Sequence, residues 1–129
     1  MAEHNEIGRI GEKITKTFLM KHGFSVLETN YRTRYGEIDI IAEKDKHLRF
    51  IEVKSVKVRD VNRTEGLSVQ PEENLTFSKW SKFKISVETY LRHKSVSHET
   101  KWQIDLACVY INTEAREGRV KLLENIHKE

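Results

Sequence analysis

Gly36-Glu37-Ile38-Asp39-Ile40-Ile41-Ala42, then Glu43-Lys44-Asp45-Lys46, then Leu48-Arg49-Phe50-Ile51-Glu52-Val53-Lys54: this stretch decides how the chain folds. Both flanking runs are rich in β-branched and aromatic residues, and the charged turn between them makes them a hairpin of two strands. Alternation puts Ile38 and Ile40 on one face, and Asp39 with Ile41 on the other. In the second run Ile51 and Val53 share a face, opposite Phe50, Glu52 and Lys54. Strands this apolar belong in the middle of a sheet covered on both sides. A carboxylate there loses hydration, which is costly unless it is paired or bound to a cation.

Working outward, Ile7, Ile10, Ile14 and Phe18 recur at helical spacing, with Leu19 widening the stripe and Gly23 ending it. The first helix is expected over residues 4–22. Phe24 to Leu27 is expected as a first strand, with residues 31–36 as a turn or strand end. From Ser55 to Asn74 no periodicity remains, and Gly66 and the only proline, Pro71, fall there. Residues 55–75 are expected to form a flexible loop. Trp80, Phe83, Val87, Tyr90 and Leu91 restore a helical stripe, capped by Thr76 or Ser78. Trp102 to Ile111 reads as a fourth strand and Arg119 to Leu123 as a fifth. The order helix, three strands, helix, strand, then a further short strand defines one α/β domain around a mixed central sheet, spanning 1–129.

The chain has 129 residues, of which 37% are hydrophobic, enough for a single core. No run of about 18 apolar residues is present, so no membrane span is expected. One cysteine, Cys108, excludes an internal disulfide and a multi-cysteine zinc site. These features fit a soluble protein of the reducing cytoplasm. Net charge is +3, and its distribution is uneven. Residues 1–53 carry nine basic and nine acidic side chains, 54–101 carry ten and six, and 102–129 carry four and five. The basic excess is confined to the middle segment, which suits either a phosphate-attracting patch or a solvated helix face.

Two carboxylates and an ammonium on neighbouring strands, Asp39 and, after twelve intervening residues, Glu52-Val53-Lys54, admit two readings. One is an inert ion pair of Lys54 with Asp39 or Glu52, which leaves a carboxylate over. The other is a divalent-cation site, since Mg²⁺ prefers hard oxygen ligands and keeps waters and phosphate oxygens in its shell. A lysine beside such a site can orient or deprotonate water and offset charge on a phosphoryl group.

Gly36-Glu37-Ile38-Asp39-Ile40-Ile41 with Phe50-Ile51-Glu52-Val53-Lys54 resembles the PD-(D/E)XK nuclease superfamily, and more narrowly its YraN-type bacterial members. Gly8, Gly11-Glu12, Gly23-Phe24, Asn30, Arg32 and Ile104-Asp105 extend the resemblance over roughly residues 7 to 111. It implies a restriction-endonuclease-like core, similar to that of Holliday-junction resolvases. It implies that Asp39 and Glu52 are metal ligands, joined by the Val53 carbonyl, with Glu12 reaching in from the first helix and Lys54 as the catalytic lysine. Mg²⁺ or Mn²⁺ would be the cofactor, DNA the partner, and a homodimer the assembly. The pattern often carries an arginine two residues after the lysine and another two before the strand-four aspartate. This chain has Val56 and Gln103 there, which keeps open a nucleic-acid-binding module with little or no cleavage.

Candidate phosphate contacts are Arg32, Arg34, Lys57, Arg59, Lys79 and Lys82. Tyr31, Arg34 and Tyr35 precede the second strand and either touch substrate or simply build the turn. The six histidines show no i, i+4 pair on one helix, so a zinc site is not expected. Glu12 has an ordinary alternative too, an exposed helix glutamate paired with Lys16 at i+4.

Overall fold

A computed structural model describes residues 2–63 and 76–126. The elements are α1 (Ala2–Lys21), β1 (Ser25–Thr33), β2 (Gly36–Lys44), β3 (His47–Lys57), α2 (Phe77–His93), β4 (Lys101–Asn112) and β5 (Glu117–Leu123). The five strands form one mixed sheet in the order β1-β2-β3-β4-β5. All neighbours run antiparallel except β3 and β4, which are parallel and joined through α2. The expected α/β order of helix, three strands, helix and strand is the order observed.

Each boundary has a local cause. Gly23 ends α1 at φ +85, where a side chain would be strained, and Phe24 N–H closes the turn on Leu19 C=O. Asp45 and Lys46 both take positive φ, which makes the β2–β3 connection a two-residue turn whose twist matches the strands. Thr76 caps α2, its side chain accepting the Lys79 N–H at 3.2 Å. β1 runs on to Thr33, past the expected end at Leu27, because residues 28–33 pair with β2. β3 likewise runs to Lys57, past the expected start of the loop at Ser55, because β4 pairs with it that far. Val58 and Val61 beyond it are buried against Leu106, Cys108 and Tyr110. Residues 64–75 of the expected flexible loop lie outside the described residues.

The helices cover opposite faces of the sheet. Ile38, Ile41, Leu48, Phe50 and Ile104 pack with Phe83, Val87 and Tyr90 of α2. Ile40, Ala42, Ile51 and Ala107 pack with Leu19 and Phe24 at the end of α1. Each isoleucine, leucine, valine or phenylalanine among them contributes roughly 1.5–3 kcal/mol by leaving water. The fully buried line on α1 is Gly11, Thr15 and Leu19, with Ile7, Ile10, Ile14 and Phe18 flanking it. Small residues facing the sheet let the helix approach closely. A Cβ on Gly11 would stand 1.8 Å from Ser55 Oγ, whereas Gly8 meets nothing within 4 Å. Among the described residues no helix is long and apolar enough to cross a membrane.

Candidate metal centre

β2 and β3 pair from Lys44↔His47 to Ile40↔Ile51 and then part. At the fork the Asp39 carboxylate replaces a backbone partner, accepting the Val53 N–H at Oδ2, 2.8 Å away. The fork has a second mark. Ile38 lies with α2 and Ile40 with α1, so the simple alternation expected for them breaks once between these positions. Across the ladder Asn30 of β1 takes φ +52, a left-handed conformation that asparagine tolerates better than most residues. That local kink frees the Asn30 side chain. Its Nδ2 donates to Glu12 Oε1 and to Glu37 Oε1, both at 2.9 Å.

The result is a group of carboxylates drawn from three elements. One oxygen each of Glu12, Glu37 and Asp39 lies within 4.8 Å of the others. Glu12 is delivered by the close seating of α1 at Gly11, and Glu37 and Asp39 share a strand two residues apart. Glu52 shares a side-chain hydrogen bond with Asp39. Glu52 thus touches the site through Asp39, while Glu12 and Glu37 crowd it directly.

Electrostatics follow from this crowding. Burial, then the hydrogen bond and charge of Glu52, push the Asp39 carboxyl up to about 9, against the lowering effect of the Val53 N–H. Burial also raises Glu12, helped by Asp39 and Glu37 and opposed by Asn30 and Lys16. Lys16 therefore acts on Glu12, but only as a minor influence. Glu37 is the one acid of the group with a cation, Arg32 Nε at 3.4 Å. Among the described residues no lysine or arginine forms an ion pair with Glu12, Asp39 or Glu52, and Lys54 forms none either. The ion pair expected under the inert reading is absent from that set. The donor set suits a hard divalent cation, since it gathers carboxylate oxygens from Glu12, Glu37 and Asp39 within 4.8 Å of one another.

The candidate phosphate contacts gather at this end of the sheet, where β3 and β4 finish and α2 begins. Arg32 and Arg34 lie at the end of β1, Lys57 and Arg59 at the end of β3, and Lys79 and Lys82 in the first turns of α2; all are exposed. Thr33 Oγ1 meets the buried Ser86 Oγ at 2.8 Å, which ties the β1–β2 turn to α2.

The two departures from the expected arginine pattern fall elsewhere. Val56 packs against the cluster around Tyr110. Gln103 is buried and its Nε2 donates to Asp105 Oδ1 at 2.7 Å. Asp105, fully buried, also accepts the Asn125 N–H at 2.8 Å and lies 3.6 Å from Arg49 Nη1. Arg49 brings to Asp105, from the neighbouring strand, the cation that position 103 lacks.

Glu37 and Asn30 had no assigned role from sequence. Glu37 was discoverable as the acid two positions before Asp39, on the same face. Asn30 stands out only as part of the family resemblance, because its role in the site depends on the kink.

The fold and the fork together define an α/β domain with an acidic centre at the open end of a mixed sheet. A model of the uncharacterised protein family UPF0102, the YraN family, matches residues 11–109. The chain belongs to that family. It is 32% identical to a UPF0102 protein of Caldicellulosiruptor bescii over 93% of its own length and 95% of the relative's. It is 40% identical to one of Campylobacter lari, over 90% and 88%. A UPF0102 protein of Dictyoglomus turgidum is also 40% identical, over 72% and 73%.

Proposed function

We propose that this protein is a Mg²⁺- or Mn²⁺-dependent nuclease that hydrolyses DNA phosphodiester bonds in the cytoplasm, as a homodimer. The observation that carries the reading is the fork itself. It holds Asp39 out of water, in contact with Glu52 and beside Glu12 and Glu37, with a lysine two residues from Glu52 on the same strand. Such an arrangement is unfavourable for a protein that binds nothing there.

Asp39, Glu52 and the Val53 carbonyl would hold the cation, with Glu12 and Glu37 completing or supporting the set. Held there, a divalent cation would supply positive charge beside the phosphate oxygens and lower the cost of ionising water. Asp39 is fixed by the Val53 N–H, so its free oxygen is presented without rotamer search. Asn30 holds Glu12 and Glu37 in register. Lys54 positions the attacking water, takes up its proton directly or through a second water, and offsets charge on the transferring phosphoryl group. Arg32, Arg34, Lys57, Arg59, Lys79 and Lys82 provide the grip on phosphates.

The second reading is a nucleic-acid-binding module with little or no cleavage, kept open by the lack of an arginine at Val56. The burial of Gln103 in the Asp105 cluster weakens it, because that departure lies away from the fork. A cleavage assay on branched, single-stranded and duplex DNA separates the two. Cutting that requires Mg²⁺ or Mn²⁺ and falls by about a hundredfold or more in Asp39→Asn and Lys54→Ala is expected. Binding without cutting in either metal would establish the second reading.

A further inference from the structure

The turn between β1 and β2 carries an aromatic ring that the fold does not use. Tyr35 is 46% exposed. Tyr31, four residues earlier, is committed to the core, edge-on to Tyr90 at 5.1 Å and hydrogen-bonded to His93. The tip that holds Tyr35 is well braced. Tyr35 N–H donates to Thr33 Oγ1 at 3.1 Å, Thr33 Oγ1 donates to Gly36 C=O at 3.0 Å, and Ser86 of α2 anchors the same hydroxyl. A ring presented by a braced turn loses little conformational freedom when something stacks on it.

Its neighbours are cationic. The Arg34 guanidinium lies 5.8 Å from the ring centroid, and Arg32 is 87% exposed beside Glu37. Tyr35 stands four positions before Asp39, about 13 Å at 3.3 Å per extended residue. That is the length of about four stacked nucleotides at 3.4 Å each. Guanidiniums for phosphates with a ring for a base is how proteins hold single strands. In continuous duplex every base face is already covered by its neighbours, so Tyr35 would gain nothing.

We infer that Tyr35 is a stacking platform for an unpaired base flanking the scissile phosphate, so that the substrate class is DNA with unpaired nucleotides. This rests on the nuclease reading for the scissile phosphate, but the stacking contact itself does not require cleavage. Fluorescence anisotropy in calcium buffer, with a labelled single strand and the matching duplex, tests it on wild type, Tyr35→Ala and Tyr35→Phe. Tyr35→Ala should weaken single-strand binding about 5- to 100-fold and leave duplex binding within about twofold. Tyr35→Phe, which keeps the ring, should match wild type on both. Single-strand binding unchanged in Tyr35→Ala, equal loss on both DNAs, or no wild-type binding to the single strand would each overturn the inference. A wild type that holds single strands through Tyr35 but cuts nothing in Mg²⁺ or Mn²⁺ would overturn the nuclease reading alone. A wild type that cuts, with Tyr35→Ala cutting and binding single strands equally well, would overturn the stacking inference alone.

Discussion

Strand β3 passes through two clusters of charge that differ in one respect. At Arg49 the carboxylates have a cation, one guanidinium serving both Asp105 and Glu124. The guanidinium lies 3.6 Å from Asp105 and 2.6 Å from Glu124, rests 5.3 Å from the Phe24 ring centroid, and leaves Gln103 and the Asn125 N–H to complete Asp105. Three residues on, at Glu52, Asp39 and Glu12 are without one among the described ion pairs. Carboxylates face carboxylates, and the hydrogen-bond donors within the group are the Val53 N–H and the Asn30 amide. A cluster with its own cation holds the fold together, here by fastening the segment after β5 to β4. A cluster without one is unfavourable until a cation arrives. The same strand therefore carries a structural device and, on the proposal above, a functional one, told apart by whether a cation is already in place.

The largest effect should come from spoiling the Arg49 cluster. Arg49→Met strands Asp105, already raised by burial, in the interior. A loss of about 3–5 kcal/mol in chemical denaturation, the same with or without divalent cation, is expected. A small loss, or one that metal restores, would dissolve the distinction between the clusters.

Next comes pH at the Asp39 cluster. Asp39 ionises near pH 9 in the folded protein and near 3.8 when unfolded. Between those values the folded state binds the extra proton, so metal-free stability must fall as pH rises. The drop from about pH 5.5 to about pH 8.5 should amount to roughly 1–4 kcal/mol. Asp39→Asn, with no proton to lose, should flatten most of that slope. It should also equal or exceed wild-type stability in EDTA at the alkaline end. Equal slopes in the two proteins would show that Asp39 is not strained as described.

Much of this contrast was legible before any coordinates. Asp39, Glu52 and Lys54 stand out because a polar residue in an apolar strand needs a reason, and strand periodicity is strong enough to expose them. The remainder depends on features that periodicity averages away. The break between Ile38 and Ile40, and the kink at Asn30, are single-residue departures from period two, and they bring Glu37 and Glu12 together. The Gly11-Thr15-Leu19 line was masked by flanking isoleucines, since small residues add little to a hydrophobic pattern. Arg49 and Asp105 were visible as polar intrusions, but their pairing depends on a parallel register that joins residues 54 apart in sequence and sets the two diagonal to each other.

A smaller effect should follow at the seat of α1. Gly11→Ala puts a methyl group where Ser55 Oγ stands and 3.0 Å from Ser55 Cβ, so the hydroxyl must turn away and the helix seat on β3 must give slightly. A net loss of about 1–3 kcal/mol is expected, as for other overpacked contacts. Because Glu12 moves with the helix, divalent-cation affinity should fall too. Unchanged affinity in a destabilised protein would remove Glu12 from the site.

The central claim is that the fork is a cation site held protonated until its ion binds. Isothermal titration of Mn²⁺ into the protein near neutral pH, repeated in buffers of different ionisation enthalpy, tests it directly. The account predicts saturable binding that releases about one proton, because Asp39 must give up its proton to become a ligand. It predicts that both the binding and the proton vanish in Asp39→Asn. Titrations showing no binding heat in any buffer, or binding without proton release that survives Asp39→Asn, would contradict it.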